Sequence, residues 1–174
     1  MNIQPVDIVR VEETQKSVLR QLIELYEYDF SEFNDRDVND YGLYDYKYFD
    51  YYWTEQDRHP YFIKVENKYA GFILINNYCY LQQGAKAKSI AEFFVMRKYR
   101  RRGVGQKAAV KIFDMHQGDW EVLQHGNNEG SKFFWKKVIE EYTDGAFELL
   151  EVDTEFWKGQ GYIFNNVFRK GELN

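Results

Sequence analysis

RKYRRRGVGQKAA, residues 97–109, is a basic, glycine-bearing turn that runs straight into helix-forming residues. Gly103 and Gly105 let the backbone approach a ligand with no side chain in the way. Gln106, Lys107, Ala108 and Ala109 favour a helix, so the first unpaired amides of that helix point into the turn, a geometry that binds anions. Two familiar phosphate loops are excluded by spacing. No Lys followed by Ser or Thr comes after the last glycine, as a Walker A loop needs. The third glycine of the dinucleotide fingerprint falls at Ala108, which that fingerprint tolerates, but no acidic residue follows a second strand as its fold requires.

The pattern that fits is Arg-x-x-Gly-x-Gly at Arg100, Gly103 and Gly105, preceded by the apolar run SIAEFFVM (89–96). Downstream, DWEVLQ (119–124) reads as a strand and NEGSKFFW (128–135) opens a helix, with Asn128, Ser131, Phe134 and Trp135 at offsets of zero, three, six and seven. In these two motifs and their order the chain resembles the GCN5-related N-acetyltransferases, the GNAT family. The resemblance covers residues 60–165 by motif and the N-terminal third by layout.

Working outward, DIVRV (7–11) reads as a strand and SVLRQLIELYEYDFSEF (17–33) as a helix capped by Ser17, with Leu19, Leu22, Ile23 and Tyr26 on one face. DYKYFDYYW (45–53) is expected to form a second, shorter helix. PYFIKVENKYAGFILINN (60–77) holds two β-rich runs about Glu66-Asn67-Lys68, a hairpin signal. After the strand at 89–96 come a helix over 103–116, a strand over 120–124 and a helix over 128–142. FELLEVD (147–153) and YIFNNVF (162–168) close the chain as a strand pair around Gly159 and Gly161. The resemblance implies an α/β (mixed α+β) fold. It has a central, mostly antiparallel twisted sheet of six to seven strands, helices on both faces and a splay between strands four and five. A single acetyltransferase domain over 1–174 is expected, with an acceptor side (1–58), a cofactor-binding core (59–142) and a C-terminal strand pair (143–174).

A length of 174 residues suits one domain, since domains commonly run to roughly 100–150 residues. The single cysteine, Cys79, rules out an internal disulfide framework and a multi-cysteine metal site, so a cytoplasmic location and no metal are expected. No run approaches the roughly 20 apolar residues of a membrane span. A net charge of −5, with the basic cluster confined to the glycine turn, argues against a nucleic-acid partner.

For such a fold the resemblance implies acetyl-CoA or coenzyme A as acyl-donor co-substrate. Backbone amides along Arg101, Arg102, Gly103, Val104, Gly105 and Gln106 would hold the pyrophosphate, with Arg100 carrying the motif and its basic neighbours supplying positive potential. The pantetheine arm would pair with the strand edge at Phe94, Val95 and Met96, an instance of strand addition. Asn128 would meet the arm's amide groups, with Ser131, Phe134 and Trp135 on the same helix. Asn128 also reads as a helix cap, and the two roles are compatible.

Acyl transfer to an amine needs a base. Glu92 is the candidate: a carboxylate inside IAEFFVM, where desolvation raises its pKa. Its alternative is to pair with a nearby cation and only order the site. The oxyanion would be held by the amide of Val95 or Phe94. Where many family members carry a Tyr acid this chain has Trp135, whose indole N–H donates a hydrogen bond but transfers no proton. The acid is left open, Tyr142 being one of many choices.

The aromatic excess, 19% of the chain, is local. Residues 26–53 hold twelve aromatic and eight acidic side chains against Arg36 and Lys47 alone. Rings and carboxylates together suit a cationic acceptor, a small-molecule amine, with Tyr26, Asp29 and Phe30 as candidate contacts. Tyrosines that simply build a core explain the same composition. A protein or peptide N-acetyltransferase and a non-catalytic acyl-CoA-binding module remain as alternatives, and a homodimer, common in the family, is compatible with all three.

Overall fold

Apolar runs on either side of Glu66 and Asn67 close into the expected hairpin. Strands β2 (His59–Val65) and β3 (Lys68–Asn76) pair antiparallel, and Glu66 and Asn67 take φ of 50° and 61°, the left-handed pair that a two-residue hairpin turn demands. The structure, a computed structural model, describes residues 5–83 and 86–167. Its other elements are β1 (Val6–Arg10), α1 (Lys16–Asn34), α2 (Tyr51–Thr54), β4 (Lys88–Val95), α3 (Val104–Met115), β5 (Asp119–His125), α4 (Glu129–Thr143), β6 (Glu148–Asp153) and β7 (Lys158–Asn165). Hydrogen-bonded neighbours give a seven-stranded sheet of order β1-β2-β3-β4-β5-β7-β6. The β1–β2, β2–β3, β5–β7 and β6–β7 pairs are antiparallel, whereas β4 and β5 are parallel, pairing Lys88 with Trp120 and Ser89 with Glu121.

The chain forms two compact units. One holds the described residues up to Ile75 together with Glu92–Val104, and the other holds Asn76–Ala91 and the described residues from Gly105 on. In the first, Phe62, Ile63, Phe72, Ile73, Leu74 and Ile75 are fully buried, as expected of strands whose apolar runs do not alternate. Helix α1 buries Leu19, Leu22, Ile23 and Glu27 along one face. It begins one residue before Ser17, behind a 3-10 turn (Glu13–Gln15) that Glu12 and Gln15 close as a reciprocal capping box.

Residues 45–50, read from sequence as helix, are not helical, and α2 is the single turn Tyr51–Thr54. Their backbone groups have better partners. The Glu24 carboxylate accepts from the N–H groups of Tyr44 (2.9 Å) and Asp45 (3.3 Å), and Arg36 donates to the carbonyls of Tyr44 and Asp45. Side chains on and just beyond α1 thus compete with the helix for the same amides and carbonyls.

The second unit packs Ile112 and Phe113 of α3, Trp120 and Val122 of β5, and Trp135, Val138 and Ile139 of α4 into its core. Glu121, also buried, accepts from the amides of Tyr80, Leu81 and Gln82 and so fixes the loop that leads toward β4. Strand β7 starts at Lys158, so Gly159 and Gly161 lie inside it and not in the preceding turn. A Cβ at Gly159 would sit 2.1 Å from the Gln124 carbonyl oxygen, which is why a glycine stands there. Phe168, which the sequence assigned to this strand, lies outside the described residues.

In the first unit β3 and β4 approach closely at one point: a Cβ on Gly71 would lie 1.9 Å from the Phe94 carbonyl oxygen. Gly71→Ala is therefore expected to destabilise the protein by about 3 kcal/mol through backbone overpacking. Gly103→Ala, where no atom lies within 4 Å of the new methyl and only a left-handed φ of 74° is strained, is expected to cost about 1 kcal/mol. Equilibrium urea unfolding of both variants checks the ranking, and equal losses would refute it.

Candidate active site

The phosphate-loop candidate is built by a change of backbone conformation at each step after β4. Residues Arg97–Tyr99 make one 3-10 turn, pinned by the buried Tyr99 ring. Arg100 returns to extended geometry, Arg101 (φ 59°) and Gly103 (φ 74°) are left-handed, and α3 starts at Val104. With open space around it, Gly103 is needed for its φ. Gly105 belongs to the first turn of α3, where the N–H groups of Val104, Gly105 and Gln106 have no intrahelical carbonyl to bond. The Arg101 and Arg102 side chains are exposed. A left-handed turn that leads into a helix start, beside two exposed guanidiniums, is a geometry suited to an anion.

Arg97 and Arg100 are engaged within the protein. Arg97 donates from Nε (3.1 Å) and Nη2 (2.6 Å) to Oδ1 of Asp29, and Arg100 Nη2 donates to Oδ2 of the same carboxylate. Arg100 Nε donates to the Val95 carbonyl at 2.6 Å. Partial burial pushes the Asp29 carboxyl up, but the two guanidiniums outweigh it and hold the group below its ordinary value. Asp29 thus staples α1 to the turn, and its charge is already balanced.

Backbone alternation sorts the three strand residues named from sequence. The Met96 N–H donates to the Ala70 carbonyl at 2.8 Å, and the Phe94 carbonyl lies over Gly71, so residues 94 and 96 turn their polar groups toward β3. Val95, between them, directs its N–H to the opposite edge of β4.

Glu92, on the same strand, is half-buried. Tyr26 of α1 donates its hydroxyl to Glu92 Oε2, and the Tyr46 hydroxyl also bonds this carboxylate. Burial pushes the Glu92 carboxyl up to about 7, with Glu27 adding repulsion, while the two phenol donors oppose the rise. The phenols themselves are held well above their ordinary range by burial and by the Glu92 charge. Tyr26 is locked by ring contacts with Phe30 (5.6 Å), Phe72 (5.7 Å) and Phe94 (5.8 Å). Sequence reasoning named Glu92, Tyr26, Asp29 and Phe30 but missed Tyr46. Its only signal was the tyrosine-rich run about it, which reads as helix.

Most of the remaining aromatic excess surrounds the protein's own cations. The buried Arg58 guanidinium lies 5.4–5.6 Å from the rings of Tyr48, Tyr51 and Tyr52 and donates to Glu55 at 2.6 Å. Arg20 lies 4.3 Å from Phe49, and Lys16 lies 4.7 Å from Trp53. Carboxylates are likewise committed: Glu27 to Arg36 at 3.2 Å and Asp50 to Lys16 at 3.3 Å.

In the second unit Asn128 caps α4, its Oδ1 accepting from the Ser131 N–H at 2.9 Å. Trp135 is buried against Phe113 (6.2 Å) and Phe134 (5.0 Å), whereas Phe134 is only half-buried. The Tyr142 hydroxyl donates to Asp114 at 2.9 Å and accepts from Asn166 at 3.2 Å, a core role. Among the described residues no group of three or more His, Cys, Asp or Glu side chains is placed to hold a metal ion, and no helix is long and apolar enough to cross a membrane.

The profile of the acetyltransferase (GNAT) family matches residues 19–139. No curated protein matches the chain in sequence. Among solved structures, an acetyltransferase from Thermus thermophilus superposes with a TM-score of 0.68 at 12% identity, covering 95% of this chain and 100% of that one. A GNAT-family acetyltransferase from Staphylococcus aureus gives 0.63 at 13%, covering 92% and 99%. The aminoglycoside acetyltransferase AAC(6′)-Ib, in complex with coenzyme A, gives 0.67 at 10%, covering 92% and 95%. At these identities the likeness is one of fold.

The Glu92 environment has a consequence for stability. A carboxyl titrating near 7 in the native state and near 4.3 in the unfolded chain keeps its proton longer when folded. Its contribution is fully present below the unfolded value and is lost as pH rises through about 7. Glu92→Gln is therefore expected to gain on the parent by roughly 3 kcal/mol between pH 4 and pH 8, at about 1.4 kcal/mol per pKa unit. Thermal denaturation across that range checks it, and a pH-independent difference between the two proteins would refute it.

Proposed function

The chain belongs to the acetyltransferase (GNAT) family, and from that premise we propose that it moves an acetyl group from acetyl-CoA to the primary amine of a small cationic molecule. The observation that carries the reading is Glu92, a carboxyl raised to about 7 on the strand that leads into the anion-binding turn. A group with that pKa is half-ionised at neutral pH and can take a proton from an ammonium, which a carboxylate near 4 does poorly.

The co-substrate supplies an activated acyl thioester. Amides over residues 102–106 are proposed to hold its phosphates, with positive potential from Arg101 and Arg102. The Val95 N–H is the proposed donor to the acyl oxygen as negative charge builds there. Asn128 caps α4 with Oδ1, so its Nδ2 is the donor proposed for the pantetheine amides, with Ser131 and Phe134 beside it and Trp135 as packing behind. Phe94 and Met96 are proposed to hold the strand in place.

In the reaction, Glu92 takes a proton from the acceptor ammonium. The freed nitrogen pair attacks the thioester carbon; as the carbon–sulfur bond breaks, the nitrogen gives up its second proton, which solvent passes to the departing thiolate, and Glu92 releases its own proton to solvent. Tyr26 and Tyr46 orient the carboxylate toward the amine. AAC(6′)-Ib has been solved with kanamycin or ribostamycin alongside coenzyme A, which supports a small polycationic amine as the acceptor class.

Thiol release from acetyl-CoA against a panel of small amines tests the proposal. Burial and the Glu121 charge push the Cys79 thiol up to about 12, so a thiol reagent near neutral pH should read released coenzyme A with little background. Activity is expected with primary amines, with kcat/KM falling as pH drops through about 7. Glu92→Gln is expected to lose about 100-fold or more at pH 8. No turnover with any amine, or a Glu92→Gln variant with the parent's rate at every pH, would overturn the assignment.

A further inference from the structure

We infer that Arg100, the arginine of the turn motif, is a positioning residue that acts with Asp29 on the end of β4, and that its side chain is not a phosphate ligand. The inference rests on the acyl-transfer reading of the site.

Two nitrogens of the guanidinium are engaged inside the protein. Nε donates to the Val95 carbonyl at 2.6 Å and Nη2 to Oδ2 of Asp29, while the Phe94 ring lies 5.6 Å from the guanidinium carbon. The Asp29 side chain is 19% exposed and Arg100 40%, so this pair is partly withdrawn from solvent, whereas Arg97 on the other carboxylate oxygen is 75% exposed. A carboxylate at this point repels an approaching phosphate and so disfavours its use of the remaining N–H donors.

What Arg100 holds is specific. The Val95 carbonyl and the Met96 N–H belong to one peptide unit, and that unit is gripped at both ends: the carbonyl by Arg100 and the N–H by Ala70 at 2.8 Å. The Val95 N–H lies in the preceding peptide unit, whose Phe94 carbonyl is set against Gly71, so with the planes on both sides of Val95 held its N–H keeps one direction. A donor aligned in advance with the developing charge is worth far more than one that must reorganise. Asp29 orients the guanidinium that holds the peptide, so the catalytic effect of both residues passes through Val95.

Two roles for Arg100 predict opposite signs for one substitution. The test compares Asp29→Asn, Arg100→Ala, the milder Arg100→Gln and the double variant Asp29→Asn/Arg100→Ala. Coenzyme A affinity is measured by calorimetry at low and high salt, and kcat and KM with acetyl-CoA. Positioning predicts that Asp29→Asn and Arg100→Ala each lower kcat about tenfold while coenzyme A affinity and its salt dependence change by less than about threefold. The double variant should be no worse than the single ones, because both remove one interaction. A phosphate-ligand role predicts instead that Arg100→Ala weakens coenzyme A binding tenfold or more with a shallower salt dependence. It also predicts that Asp29→Asn, by releasing the arginine, tightens binding, and either result would overturn the inference. Circular dichroism identifies a variant that fails to fold, and Arg100→Gln, which keeps one donor for the Val95 carbonyl, should then recover part of kcat. A Gln variant that is folded but no better than Ala would also count against positioning. A parent protein that binds no coenzyme A would remove the acyl-transfer reading itself, a result separable from any of these.

Discussion

One peptide unit, the one joining Val95 to Met96, carries the arrangement of the site in the first unit. Its N–H is bound by β3 and its carbonyl by Arg100, and Gly71 lets the strands close because a side chain there would strike the Phe94 carbonyl. Three things follow from that grip. Glu92 comes off β4 at a fixed point three residues upstream, the Val95 N–H faces away from β3, and the 3-10 turn that begins at Arg97 starts from a defined direction. The glycine turn and Glu92 are separate in sequence pattern. Here they are consecutive outputs of one strand end, and disturbing the strand moves both.

The carboxylates of this unit differ in what meets them, and the difference sets their proton affinities. Glu27 and Asp29 are met by guanidiniums, and Glu24 by two backbone amides. Glu92 is met by phenols. Two guanidiniums outweigh burial at Asp29, whereas burial outweighs the single Arg36 at Glu27 and the two neutral phenols at Glu92, so both glutamates are raised. The tyrosines therefore serve two ends. They bond a half-buried acid and orient it, yet they leave its proton affinity in the range where proton transfer is useful. Internal cations complete the pattern, because Arg58, Arg20 and Lys16 lie against rings of the 46–53 segment that composition alone offers to an outside ligand.

The strand–turn–helix core was legible because its signals are local. Two left-handed residues at Glu66 and Asn67, an apolar run before a glycine turn, and an Asn three residues ahead of a serine amide each decide their own conformation. Glu92 was legible as a buried acid because a lone carboxylate inside an apolar run has few places to go. The tyrosine segment was not, since its conformation is set by Glu24 and Arg36, side chains distant in sequence that take its backbone groups. Gly159 misled for a related reason: glycine marks a turn and a close backbone approach alike, and only the position of the Gln124 carbonyl tells them apart. The pairing of Asp29 with Arg97 and Arg100 joins residues far apart in the chain and had no sequence signal beyond opposite charge.

Family members commonly place a tyrosine acid where this chain has the buried Trp135, and Tyr142 is committed to Asp114 and Asn166. The proposed reaction tolerates this, and the reason is one of magnitudes. A primary ammonium with a pKa near about 10.4 sits more than three units above neutrality, so freeing its nitrogen at pH 7 costs about 4–5 kcal/mol. A departing thiolate whose conjugate acid lies near about 8.5 is only about 1.5 units from neutrality and leaves without help from a strong acid. The demand on the protein is therefore one-sided: a base must be poised, whereas an acid adds little. One half-buried carboxyl near 7, without a dedicated acid, is what the proposed reaction asks for.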